Sequence, residues 1–84
     1  MNLEILTPTG KTYSGEVLGV QLPGTTGSFE VLDNHAPMVS ALKAGQLKIL
    51  VEKNRNELYT IQGGFVEVLH NKVTVLVEGS KVVE

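Results

Sequence analysis

The sequence predicts an all-β domain, a sandwich or a barrel of short strands, and three observations carry that prediction. Apolar side chains recur at every second position through much of the chain, the period of a half-buried strand. Glycine and proline turn signals interrupt it at short intervals. No stretch holds apolar residues at helical spacing: the longest run free of glycine and proline, 46–62, is wholly polar from Glu52 to Glu57, which suits a two-strand hairpin. Valine and threonine are abundant, and β-branched side chains pack well on a pleated surface.

The elements follow in chain order. Pro8-Thr9-Gly10-Lys11 joins two short strands. Leu18, Val20 and Leu22 then alternate with Val17, Gly19 and Gln21, and Pro23-Gly24 opens the next reversal, where proline presets φ and glycine accepts a positive one. Glycine-marked turns frame a short strand, and a stiff loop ending in His35-Ala36-Pro37 follows. Ala44-Gly45 reads as the break after segment 39–43. Leu47, Ile49 and Val51 alternate with Lys48, Leu50 and Glu52, a strand with one mostly wet face, and Lys53-Asn54-Arg55-Asn56 is a polar hairpin tip. Gly63-Gly64 interrupts the strand formers of 59–69; such glycines mark a bulge, a bend or a close approach, and here they either let the chain cross between sheets or serve as a binding surface, the first reading being preferred. Val66 and Val68 oppose Phe65, Glu67 and Leu69; His70-Asn71-Lys72 links to Val73, Val75 and Val77, which alternate with Thr74, Leu76 and Glu78. The tail 79–84 is a last short strand or a frayed end.

Composition bounds the function. At 84 residues the chain is one domain, 1–84. A chain of this size buries only about 60% of the surface its unfolded form exposes, so a partner is a plausible source of added stability. No cysteine is present for a disulfide or a thiolate zinc site. The net charge is −2 and the seven basic residues are scattered among nine acids, so no basic stripe addresses a nucleic acid. No apolar run approaches the roughly 20 residues of a membrane-spanning helix, and Met1-Asn2-Leu3-Glu4-Ile5 lacks the basic start of a signal peptide. The expectation is a cytosolic-side protein.

Tests for chemistry come back empty. Gly24-Thr25-Thr26-Gly27 resembles a phosphate loop faintly but lacks the Gly-Lys-Ser/Thr ending and a following helix. His35 and His70 stand apart with no cysteine nearby, while zinc needs three or four converging ligands. Neither Ser28 nor Ser40 sits in a nucleophile elbow. Neither catalytic, cofactor nor metal residues are expected, and no small-molecule substrate. A nucleic-acid-binding barrel would want a basic face with stacking aromatics, and a biotinyl or lipoyl carrier would want a displayed lysine beside methionine. Neither feature is present.

Residues 22–37 read instead as a shaped surface. Pro37 holds Ala36 extended, Asn34 tolerates a left-handed turn, and Asp33 can bond its own backbone. A loop of low conformational entropy loses little freedom on docking. His35 divides between a loop-stabilising hydrogen bond to nearby backbone and a partner contact at the tip. Met38 supplies an adaptable apolar contact, for the core or for an interface.

These blocks together resemble a known family, the epsilon subunit of bacterial F-type ATP synthases (delta in mitochondria), in its N-terminal β-sandwich domain. The blocks run in order: Leu3-Glu4-Ile5-Leu6-Thr7-Pro8 with Gly10; Tyr13-Ser14-Gly15-Glu16-Val17; Leu22-Pro23-Gly24 through Gly27-Ser28-Phe29; His35-Ala36-Pro37-Met38; Leu42-Lys43-Ala44-Gly45-Gln46-Leu47; and Gly63-Gly64-Phe65-Val66-Glu67-Val68, before Asn71-Lys72-Val73-Thr74-Val75-Leu76. The resemblance implies a flattened β-sandwich of about ten short, mainly antiparallel strands. It also implies a non-catalytic rotor role at the foot of the central stalk, between the gamma subunit and the membrane c-ring, on the cytoplasmic face of the bacterial inner membrane. Carried over by position, Thr25, Thr26, Ser28, Asn34 and His35 face the c-ring, and Thr7, Ser40 and Leu42 face gamma.

Two departures stand out. Several family members carry an acid where Ser28 stands, so the ring contact is expected to be less electrostatic here. The family usually continues into a C-terminal helical hairpin that can inhibit ATP hydrolysis, whereas the sequence ends at Glu84. Either a naturally short subunit or a fragment is expected, without helix-mediated inhibition in this polypeptide.

Overall fold

Alternation turns into register once the strands pair. In a computed structural model that describes residues 1–83, the chain forms eight strands: β1 (Asn2–Thr7), β2 (Gly10–Glu16), β3 (Gly19–Gly24), β4 (Gly27–Leu32), β5 (Met38–Glu52), β6 (Arg55–Leu69), β7 (Lys72–Val77) and β8 (Ser80–Val82). They join along the path β2-β1-β7-β6-β5-β3-β4, with β8 on β6. β1 and β7 run parallel and the other pairs antiparallel. No helix occurs among the described residues.

β5 and β6 are 15 residues each and belong to two layers. Residues 38–42 of β5 pair with 64–68 of β6, which continues through β7 and β1 to β2. Beyond the bend, 44–52 of β5 pair with 55–62 of β6, flanked by β3 and β4 on one side and β8 on the other. Each layer therefore holds five strand segments, which is how about ten short strands become eight continuous ones. The Cα extents, 27 × 26 × 24 Å, are nearly equal, so the body is less flattened than expected.

The crossing sits where the double glycine placed it. Gly63 and Gly64 have φ of 93° and 147°, and a Cβ on Gly64 would run into the Leu76 carbonyl oxygen. Glycine alone combines that backbone with that proximity. Ala44-Gly45 corrects the sequence reading, because β5 continues through it. A Cβ on Gly45 would lie 3.1 Å from Pro23 Cβ, so this glycine marks close approach by β3 and not a turn.

Both layers send their apolar alternates inward. Leu3, Ile5, Leu22, Leu47, Ile49 and Ile61 are fully buried together with valines of β3, β4, β6 and β7. Each such side chain contributes about 1.5–3 kcal/mol relative to exposure. The phase assigned to Val17 and Leu18 is reversed: Val17 is buried and Leu18 is 53% exposed. These two residues lie in the crossover before β3 begins, where their amides donate to Met1 O (2.9 Å) and Leu50 O (2.8 Å), so strand periodicity does not reach them. Met38 packs half-buried against the core. Tyr13 of β2 meets Tyr59 of β6 edge-on, ring centroids 6.0 Å apart, closing one side of the sandwich between the layers.

The turns are tight. Thr25-Thr26 and Lys53-Asn54 are two-residue connections, the latter shorter than the expected four-residue tip. His70 (φ 50°) and Asn71 (φ 59°) make a two-residue turn with both φ positive, the type I′ pattern whose twist matches the flanking strands. The tail expectation for 79–84 is met by β8 as far as Val82; Glu84 lies outside the described residues.

Candidate functional site

The loop 33–37 is held from several directions. Asn34 takes φ 62°, as a left-handed asparagine would, and its amide donates to Asn71 Oδ1 at 2.8 Å. The His35 amide donates to Leu32 O at 3.2 Å, and His35 Nδ1–H donates to Ala36 O at 2.8 Å, one of the two roles expected for it. Asp33 differs from expectation: its carboxylate accepts from the Met1 ammonium at 2.8 Å, not from its own backbone. That ammonium is itself buried, donates to Val17 O at 3.1 Å, and lies 3.4 Å from Glu16 Oε2. The bond to the ammonium, helped by Asn71, holds the Asp33 carboxyl below the ordinary aspartate range. The same bond to Asp33 raises the Met1 amine, against a desolvation that would lower it.

The five residues assigned to the c-ring fall along one feature, β4 and the loops at its two ends. Thr25 and Thr26 form the β3–β4 tip and Ser28 follows on β4; Asn34 and His35 come after its far end. All five are exposed. They form no single cluster, since a six-residue strand separates the two groups by roughly 17 Å. Among the described residues β4 pairs with β3 alone, so it forms one of the two edges of its layer, β8 forming the other.

The residues assigned to gamma also separate. Thr7 ends β1 and lines a shallow groove of about 390 Å³ with Leu6, Pro8, Phe65 and Leu76. Ser40 is half-buried on β5, its hydroxyl 3.5 Å from Ala41 O. Leu42 is 5% exposed and packs in the core, leaving a partner almost none of its side chain. This corrects its reading as a surface contact. The inward alternate of β5 at that register faces the same interior as Val66 and Val68.

Reading site residues from motifs missed a larger feature. Ala41, Phe65, Leu76 and Leu6 lie in register across four neighbouring strands on the outer face of the β2-β1-β7-β6-β5 layer. Phe65 is 57% exposed and Leu76 50%, with Val39 and Leu69 exposed nearby. The signal was present as apolar residues on both phases of β6 and β7, which marks a strand covered on two faces. Beside the apolar row that face carries a charged cluster: Glu4 accepts from Lys11 at 2.7 Å and from Lys72 at 3.1 Å. Those two lysines hold its carboxyl below the ordinary glutamate range.

Among the described residues no group of three or more His, Cys, Asp or Glu is placed to hold a metal ion, and no helix is long and apolar enough to cross a membrane. The arrangement leaves two extended surfaces exposed, the β4 edge and an apolar row.

Comparison with known proteins agrees with this architecture. Residues 1–81 match the family described as ATP synthase, Delta/Epsilon chain, beta-sandwich domain. An ATP synthase epsilon chain of Sulfurimonas denitrificans is 48% identical over 80 residues, covering 95% of this chain and 62% of that protein. One from Chlorobium limicola is 40% identical over 76 residues, covering 90% of this chain and 86% of that protein. The chain thus spans about 62% of the length of the Sulfurimonas relative. A chain of the Euglena gracilis mitochondrial ATP synthase, solved as OSCP/F1/c-ring, shares the fold at a TM-score of 0.89 and 22% identity, covering 95% of this chain and 51% of that one. A chain of the Tetrahymena thermophila mitochondrial ATP synthase central stalk and c-ring gives 0.82 and 20%, covering 95% and 64%. With the family model spanning nearly its whole length and strands, turns and core in agreement, the chain belongs to the delta/epsilon β-sandwich family of ATP synthase.

Proposed function

We propose that this chain is a non-catalytic rotor component of an F-type ATP synthase, joining the c-ring to the gamma subunit at the cytoplasmic face of a bacterial membrane. Ion flow turns the ring, and torque passes through the sandwich and gamma to catalytic subunits elsewhere. The observation that carries this reading is two-sided exposure: an apolar row on one layer and a free polar edge on the other, separated by a dense core. Close-packed interiors transmit strain, so a domain gripped on both sides resists slippage. Gamma covers the outer face around Phe65 and Leu76, with Thr7 at its margin, and reaches Ser40 only over the β5 edge of the layer, because Ser40 shares the inward phase of Val66. The c-ring loops lie lengthwise along β4, touching Thr25, Thr26 and Ser28 at one end and Asn34 and His35 at the other. The composite contact reaches roughly 1,600 Å² or more in total, as a specific stable interface requires.

Membrane complexes carrying Ser28→Arg or His35→Asp test the edge. Each substitution is expected to weaken ring attachment and ion-driven ATP synthesis while the domain stays folded. Unchanged synthesis with both substitutions present would remove the edge from the ring interface. Loss with Ser28→Arg alone would confine the contact to the hairpin tip. Gamma should also co-purify with this chain at stoichiometric yield; its absence would favour a binding module with an unrelated partner.

A further inference from the structure

We propose that Asn71 is a positioning residue for docking: it fixes the Asn34–His35 tip before a partner arrives. The inference rests on the rotor reading for the identity of that partner, though not for the clamp itself. Asn71 sits in the β6–β7 turn, 37 residues along the chain from Asn34. It joins two segments at once. Its Oδ1 accepts the Asn34 amide at 2.8 Å, and its backbone carbonyl accepts the Asn2 amide at 3.2 Å. An asparagine side chain offers the carbonyl acceptor this needs, which hydrophobic side chains lack. The site also demands φ 59°, which asparagine tolerates better than glutamine, serine or threonine.

The mechanical consequence concerns entropy. Asn34 and His35 are exposed, at the end of an edge strand, with no core contact to order them. A loop whose left-handed residue is bonded to a rigid turn keeps one conformation while free, so docking costs less ordering. Without the Oδ1 acceptor, the tip retains its local bonds from the His35 amide to Leu32 O and from the His35 ring to Ala36 O. It also keeps the Asp33–Met1 bond at its base, but Asn34 itself loses its long-range tether.

Asn71→Gly separates the clamp from the fold, because glycine keeps the positive φ of the turn and removes only the side chain. Asn71→Asp serves as partial rescue: it restores an acceptor for the Asn34 amide and places a like charge beside Asp33. Two readouts apply to this 84-residue chain: amide hydrogen exchange at Asn34 and His35, and assembly with F-type complexes stripped of this subunit. Asn71→Gly should leave the melting temperature within a few degrees of the parent and speed Asn34 exchange at least tenfold. Assembly affinity should fall about fivefold to tenfold, the size expected for one net hydrogen bond. Asn71→Asp should fall between the two in exchange. Unchanged Asn34 exchange in Asn71→Gly overturns the clamp. Faster exchange with parental assembly overturns its role in docking. If the parent chain itself fails to assemble, the rotor reading falls and the docking role with it, whereas the exchange measurement still decides whether the clamp exists.

Discussion

Gly64 shows how a single missing atom can hold two layers together. Its φ of 147° and the Leu76 carbonyl beside it leave no room for a Cβ, while Gly63 next to it sits at 93°. Gly64→Ala is expected to destabilise the domain by about 3 kcal/mol, through backbone strain and displacement of the β6–β7 ladder. A urea titration showing less than about 1 kcal/mol would mean the ladder shifts freely. Glu4 gives a second prediction at this scale. Its folded carboxyl titrates lower than in the unfolded chain, so its pairing with Lys11 and Lys72 stabilises above the ordinary glutamate range. That contribution disappears as pH falls through the lowered folded value. Glu4→Gln should therefore narrow its stability gap to the parent on acidification and show a constant gap near neutrality, as measured by thermal melts across pH. The two histidines were legible as residue types, and the absence of sulfur ligands already argued against zinc. Which atoms would hold His35 became visible with the fold, because its ring bonds a backbone carbonyl that only the turned loop presents.

The long hairpin is the element on which the rest depends. β5 and β6 pair over most of their 15 residues, and each serves both layers, so the two sheets share covalent strands as well as a core. Their alternation was readable because one face of each half is buried. The junction at Ala44-Gly45 was not, since a glycine that admits a neighbouring strand and a glycine that ends a strand look identical in one dimension. Val17 and Leu18 failed for a related reason: periodicity was extended two residues beyond the strand. The β6–β7 turn carries its own prediction. His70 holds φ 50°, a conformation in which asparagine is more comfortable. His70→Asn should raise stability by about 0.5 kcal/mol, seen as a higher denaturation midpoint at unchanged m-value. A lower midpoint would show that the histidine ring makes a compensating contact.

Across the whole molecule, the apolar row is what a free domain of this size would not retain without use. Contiguous exposed apolar surface marks an interaction site more often than scattered single residues do. Phe65→Thr keeps strand propensity and removes the largest exposed ring. The expected outcome is a parental melting curve with at least tenfold weaker association with gamma, the loss typical of a central aromatic anchor. Retained gamma binding would move that interface away from this layer. The two-layer plan also explains why the candidate contacts proved scattered. Thr25 and His35 are ten positions apart in sequence and lie at opposite ends of β4, whereas Asn34 and Asn71 are distant in sequence and joined in space.

What the amino-acid order fixed unaided was local: strand content, most of the turns though not a break at Ala44-Gly45, the double-glycine crossing, and membership of a family recognisable from ordered short motifs. These depend on φ/ψ preference and period-two burial, which act over a few residues. The tertiary structure decided which alternates face solvent in register, that Leu42 belongs to the core, and that Asn71 holds Asn34. Those outcomes depend on contacts between segments tens of residues apart, and pairing register, which sets them, is a property of the assembled sheet.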